Sequence, residues 1–253
     1  MLFSILYLGD RLAALHSLRT AAYAVHLARE VQTHSRVVFV VRLAGLLHDI
    51  GKLGVPRYLL YKADALRPEE FEAIKRHAEY GAYILERYSP LHFLAKPVRH
   101  VHENFDGTGY PDGLKGHEIP LESRILAVAD AFDALTTDRP YRQALPTEEA
   151  LRILKLDAGH RWDPELVRVF SLMWEEGHLR LPSFSFQPPD GDRQLFDSAF
   201  HWLHRLEQET MGVSPAGDEK AKGEISTPPR LGHGHRDGTR GASLTSLAIA
   251  RRR

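Results

Sequence analysis

The sequence predicts an all-α helical bundle, followed by a C-terminal helix and a disordered tail. Apolar residues recur at helical spacing through most of positions 10–176. Helix-start signatures recur over the same region, with prolines or carboxylates in the first turn. No convincing run of alternating strand residues interrupts them.

The first helix is expected over Asp10–Gln32, where Leu12, Leu15, Ala22, Val25, Leu27 and Val31 mark the apolar positions. Val37–Ile50 is more continuously apolar, as suits a buried helix, and Gly51 follows as a C-terminal stop. Pro68, Glu69 and Glu70 open a helix that should run to about Tyr88, with Pro90 closing it. A further helix should cover Leu94–Glu103. Asp106-Gly-Thr-Gly-Tyr-Pro-Asp-Gly113 is dense in glycine and proline and must be an irregular loop. Helices resume at about Leu121–Thr137, Thr147–Ala158 and Asp163–Glu176, the last with Pro164 at its first helical position.

Composition shifts after Pro182. Ser183–Arg193 is rich in Pro, Ser, Asp and Gln, and Gln194–Met211 fits one amphipathic helix with Phe196, Phe200, Leu203 and Leu206 on a face. From Gly212 the chain is rich in Gly, Ser, Pro and charge, ends in Arg251-Arg-Arg253, and is expected to be disordered. The expected division is a main domain over 1–182, a helical extension over 183–211 and a basic tail over 212–253.

The bulk numbers exclude several function classes. Lys plus Arg equals Asp plus Glu, at 33 each, so net charge gives no reason to expect a nucleic-acid partner. There is no cysteine, which excludes disulfides, thiolate zinc sites, iron–sulfur clusters and a Cys nucleophile. Any metal must be held by His, Asp, Glu, backbone or water. Met1–Leu8 is apolar but lacks the basic region and cleavage site of a signal peptide. No later stretch approaches the roughly 20 apolar residues of a membrane span. The expectation is a soluble, cytoplasmic protein without a membrane partner.

Histidines and aspartates in apolar helical settings are the chemical signal. His16, His48, His77, His100 and His102 lie in such surroundings, as do Asp49 and Asp130. One such residue is most often a hydrogen-bonded core residue. Several, on different helices of one domain, suit a metal cluster, because buried charge must be paired or bound to an ion. His48–Asp49 is the most informative pair. Both can reach one ion, or the carboxylate can bind one ion and bridge to a second. Imidazole with carboxylate suits Fe, Mn, Zn, Co or Ni rather than Ca.

Leu46-Leu-His-Asp-Ile-Gly-Lys52 resembles the signature of the HD superfamily of metal-dependent phosphohydrolases. His102-Glu-Asn-Phe-Asp-Gly-Thr-Gly-Tyr-Pro111 resembles the second signature of its HD-GYP branch, in which Gly109, Tyr110 and Pro111 are the GYP itself. The likeness continues through Ile119–Asp130 and Asp138–Arg142, and covers roughly Asp10 to Trp174.

The resemblance implies an HD-domain helical bundle with a GYP loop. It implies a phosphodiesterase that hydrolyses cyclic di-GMP, or the related cyclic GMP–AMP, to a linear dinucleotide or to GMP. It implies two divalent ions, Fe or Mn. His16, His48, Asp49 and Asp130 would hold the first ion. Asp49 would bridge to the second, completed by His77 and His102. Lys52 would touch a phosphate or the attacking water, and Arg139 and Arg142 match phosphate-binding positions. Tyr110 would either face a guanine or pack beneath the loop. The GYP loop is also where a protein partner, such as a diguanylate cyclase or a sensor, would dock.

Three positions depart from the family pattern. Val101 stands where a histidine is common, and His100 lies one residue earlier, rotated by about 100° if the segment is helical. Leu12 stands where trinuclear members carry a glutamate, which points to a binuclear site. Arg142 stands where a lysine can occur, which keeps the charge and changes the geometry. The competing readings are a catalytically weak or inactive module that binds a cyclic dinucleotide or a protein, and an HD hydrolase acting on other nucleotides or phosphoesters, against which the intact GYP loop argues.

Overall fold

A computed structural model describes residues 10–62, 64–138 and 142–179. The predicted C-terminal helix, the tail and Arg139 lie outside the described residues. Among the described residues the chain forms nine α-helices, three short 3₁₀ segments and no strand. The helices are α1 (Arg11–Glu30), α2 (Ser35–Leu47), α3 (Arg57–Leu60), α4 (Pro68–Lys75), α5 (His77–Arg87), α6 (Ala95–Arg99), α7 (Leu121–Thr136), α8 (Thr147–Leu156) and α9 (Pro164–Glu175).

Local chemistry sets the boundaries. Asp10 caps α1 by accepting the Ala13 N–H at 3.0 Å. Asp163 does the same for α9, accepting the Glu165 N–H at 3.0 Å ahead of Pro164. Its other oxygen meets Arg124 Nη1 of α7 at 2.5 Å, so one carboxylate caps α9 and ties it to α7.

Helices α1, α2 and α7 form the centre of the bundle. The α1–α2 crossing is close: a Cβ at Gly45 would stand 2.8 Å from the Ala21 Cα. Only glycine lets the two backbones approach so nearly. Helix α7 is buried over almost its whole length. Phe132 on α7 meets Tyr23 of α1 edge-on at 5.0 Å and Phe170 of α9 at 4.9 Å, which locks three helices around one aromatic cluster.

Three expected helices are shorter or divided. The second stops at Leu47, so His48 and Asp49 stand in a turn ahead of a 3₁₀ segment, Ile50–Gly54. The third is divided at Arg76, which places His77 at the start of α5. The fourth covers only Ala95–Arg99 after a 3₁₀ segment, leaving His100 and His102 in a turn. Helix ends expose unpaired backbone groups and free the chain to change direction. Candidate ligands stand at all three of these ends.

Candidate metal centre

The structure draws the six predicted ligands together from five places. His16 lies within α1, His48 and Asp49 follow α2, His77 opens α5, His102 stands in the turn after α6, and Asp130 is on α7. All six are buried. Burial of so many ionisable groups is costly unless they share partners or an ion.

Two groups emerge. In the first, one ligand atom each from His16, His48 and Asp49 lies within 4.8 Å of the others. Asp130 Oδ1 joins them, 3.0 Å from His16 Nε2 and 3.8 Å from His48 Nε2. Asp49, His77 and His102 form the second group. Asp49 belongs to both: its Oδ2 lies 3.6 Å from His48 Nε2, and its Oδ1 lies 3.8 Å from His77 Nε2. One carboxylate therefore faces each group with a different oxygen.

The rings are held so that their Nε2 atoms converge. His48 Nδ1 donates to the Gly45 carbonyl at 2.8 Å, and His77 Nδ1 donates to the Ile74 carbonyl at 2.7 Å. A carbonyl only accepts, so the proton is on Nδ1 and Nε2 of the neutral ring is a lone pair. His77 Nε2 lies 2.8 Å from His102 Nε2. His48 Nε2 is buried without a hydrogen-bond partner. Its 3.6 and 3.8 Å separations from two carboxylate oxygens are too long for hydrogen bonds. They match donors placed on either side of an ion, each about 2.1 Å from it. The residues present fit divalent ions of the Fe, Mn, Zn, Co or Ni type.

Electrostatics favour the metal-binding forms of Asp49 and His77, but not of His16 in the absence of an ion. Burial alone would raise the Asp49 carboxyl, but Lys52, His48, His16 and His77 hold it well below the usual range. Burial pushes His77 down to about 4 despite the nearby Asp49, so its ring is neutral at pH 7. Burial lowers His16, yet Asp130 and Asp133 outweigh it and raise the ring above its ordinary value. Lys52 places Nζ 2.6 Å from Asp49 Oδ2 and keeps a quarter of its side chain exposed.

The GYP loop packs onto the second group. The Tyr110 ring stacks on His102 at 5.2 Å with 30° between planes, and Lys75 Nζ lies 5.5 Å from its centroid. Gly109 is required because a Cβ there would stand 2.1 Å from the Asn104 nitrogen. Beyond Pro111, the Asp112 N–H donates to Glu103 Oε1 at 2.8 Å. The Asp112 carboxylate takes Arg99 at 2.7 and 2.8 Å and His100 Nε2 at 2.8 Å. His100 is thus engaged with the loop, and the helical rotation expected for it does not apply because it stands past the end of α6. Val101 is only 1% exposed and forms part of the core.

The Arg99 guanidinium, helped by His100, holds the Asp112 carboxyl at about 2 against the opposing effect of burial. A folded value below the ordinary ~3.9 adds stability above pH ~4 that is lost as pH falls toward 2. Asp112→Asn should therefore melt below the native protein at pH 7. The gap should narrow steadily from pH 4 downward in thermal melts at fixed ionic strength. A gap independent of pH would contradict this account.

Two phosphate-binding expectations fare differently. Arg139 lies outside the described residues. Arg142 directs its guanidinium to the carbonyls of Ala134 and Leu135, where it caps the end of α7. Sequence reasoning also missed a residue. Asp133, one turn after Asp130 on α7, accepts from His16 Nδ1 at 2.6 Å and from Arg19 Nε at 2.6 Å. A second carboxylate on so apolar a helix was the available signal.

Comparison with known proteins follows the same lines. The HD domain family matches residues 3–166. The 3'3'-cGAMP-specific phosphodiesterase 3 of Vibrio cholerae is 41% identical over 174 residues, which are 67% of this chain and 38% of that protein. A cyclic di-GMP phosphodiesterase of Thermotoga maritima is 40% identical over 163 residues, 64% of this chain and 44% of that one. The chain thus spans about two-fifths of the length of these relatives. Among solved structures, an HDG"Y"P protein from Bdellovibrio bacteriovorus matches with a TM-score of 0.54 at 23% identity, covering 64% of this chain and 52% of that one. The likeness there is one of fold.

Proposed function

Because the chain belongs to the HD domain family, we propose that it is a metal-dependent phosphodiesterase that hydrolyses cyclic di-GMP or a related cyclic dinucleotide. The observation that carries this reading is Asp49, whose two oxygens face two separate groups of histidines. The named relatives act on cyclic dinucleotides, which supports the substrate class.

His16, His48, Asp49 and Asp130 would hold one divalent ion, and Asp49, His77 and His102 the other, Fe or Mn being the best candidates. Ions so bound would supply Lewis acidity and lower the pKa of water toward neutrality. The protein's own part is positioning and charge. Asp49 fixes the spacing of the two halves. Lys52 keeps Asp49 ionised and presents a cation to a phosphate oxygen as negative charge develops. Tyr110 covers His102 and would offer its ring as a surface for the dinucleotide. Gly109, Pro111 and Arg139 complete the proposed binding set, while Arg142 caps α7. Phosphoryl transfer depends mainly on such positioning and electrostatics.

Val101 favours one other reading, a module that binds a cyclic dinucleotide without cleaving it, because the second group lacks a histidine common in the family. The test is turnover of cyclic di-GMP and 3'3'-cGAMP by protein reconstituted with Mn or Fe, followed by chromatography. A linear dinucleotide or mononucleotide product, absent after chelation, is the expected result. Tight binding without product at saturating metal would exclude the enzyme and establish the module.

A further inference from the structure

The two groups are not equivalent. The first offers two carboxylates, Asp49 and Asp130, with two imidazoles. The second offers two imidazoles and only the shared Asp49. The rings also differ in what stands behind them. His48 and His77 rest on backbone carbonyls. His16 rests on a carboxylate: its Nδ1 lies 2.6 Å from Asp133 Oδ2.

Asp133 is itself clamped. Arg19 Nε meets Oδ1 at 2.6 Å and Arg19 Nη2 meets Oδ2 at 3.1 Å, a two-point contact that fixes the plane of the carboxylate. Asp133 is 1% exposed, so water does not compete for it. Arg19 lies one turn beyond His16 on α1, and Asp133 one turn beyond Asp130 on α7. Two residues of α1 thus pair with two residues of α7. A carboxylate that accepts from the rear nitrogen of an imidazole fixes its tautomer and makes the front nitrogen a stronger donor to a metal.

We infer that the two sites hold their ions unequally, the His16 site tightly and the His77–His102 site exchangeably, and that the Asp133–Arg19 pair is a positioning element on which the tighter hold of the first depends, beside its second carboxylate. The inference rests on the two-ion reading above and adds an order of filling to it. Turnover would then follow occupancy of the weaker site, and the supply of free divalent metal would set the activity of folded protein. Asp133 is a positioning residue, since it acts through His16.

Metal retention tests this without recourse to activity. The chain is saturated with Mn, dialysed against a weak chelator and assayed by elemental analysis. The native protein should carry two ions per chain at saturation and keep one. His102→Gln should also keep one. Asp133→Asn should bind the first ion about 10–100-fold more weakly and keep none, while its circular dichroism stays native. If Asp133→Asn fails to fold, Arg19→Gln, which leaves the carboxylate in place, should show the same loss in milder form. Retention of one ion by every folded Asp133 and Arg19 variant would overturn the inference, as would loss of both ions from His102→Gln. Unequal retention without hydrolysis of any cyclic dinucleotide would sustain this inference while refuting the phosphodiesterase reading.

Discussion

Replacing Asp49 with asparagine is expected to lower kcat for cyclic di-GMP by at least about 1000-fold, close to 4 kcal/mol of lost transition-state stabilisation. The size follows from the number of contacts that meet at this carboxylate. One oxygen faces His48 and Lys52, and the other faces His77. An asparagine keeps the shape but has one acceptor and no charge, so it cannot serve both groups. The second group would be left with two imidazoles and no anion, and bound Mn should fall from two ions per chain to one or none. The fold should survive. Lys52 loses its partner, but its side chain is a quarter exposed and its ammonium can turn to water. Melting of the metal-free variant should therefore stay within a few degrees of native. Steady-state kinetics at saturating Mn, with metal counted on the same samples, checks both halves. Activity within tenfold of native would show that Asp49 does not join the two sites.

The legible part of the site and the hidden part differ in sequence distance. His48–Asp49 and Gly109-Tyr-Pro111 are local strings, and a string can be recognised. The helical class was equally open, because periodicity is a local property, and α1, α7 and α9 fall close to their expected limits. The partners of those strings are not local. His16 and Asp133 are 117 residues apart, and Arg19 and Asp133 are 114 apart. No spacing rule links them. Packing of α1 against α7 makes the contact. Helix ends were hidden for a related reason. His48 ends α2 by turning its own ring back onto Gly45, a contact that an apolar run leading into His48 does not announce. His100 looked like a displaced ligand while the segment was read as helical. Past the end of α6 it serves the GYP loop instead, through Asp112.

Gly51 shows how a correct residue can carry the wrong reason, and Gly51→Ala should be the most damaging small substitution in this region. In sequence it reads as the stop of the second helix. In the structure that helix has already ended at Leu47, and Gly51 lies in the 3₁₀ segment against the start of α5. A Cβ at Gly51 would stand 1.9 Å from the His77 carbonyl oxygen and 2.4 Å from the Gly81 nitrogen. Both are backbone atoms, so no side chain can swing aside. Alanine stiffens the unfolded chain, which favours the variant by about 0.4–1 kcal/mol where the native backbone accepts it. Overpacking in a buried site costs about 1–3 kcal/mol, occasionally more, and backbone crowding on this scale belongs at the upper end. The loss prevails by about 2–2.6 kcal/mol, and at about 2–4 °C per kcal/mol the melting temperature should fall by roughly 4–10 °C. The displacement has a direction as well as a cost. It pushes the first turn of α5 away from the His48–Asp49 turn, and His77 goes with it. Folded Gly51→Ala protein should therefore lose the second Mn ion while keeping the first. Thermal melts with metal analysis separate this from general weakening, because nonspecific destabilisation would lower the melting temperature and leave two ions bound at saturation.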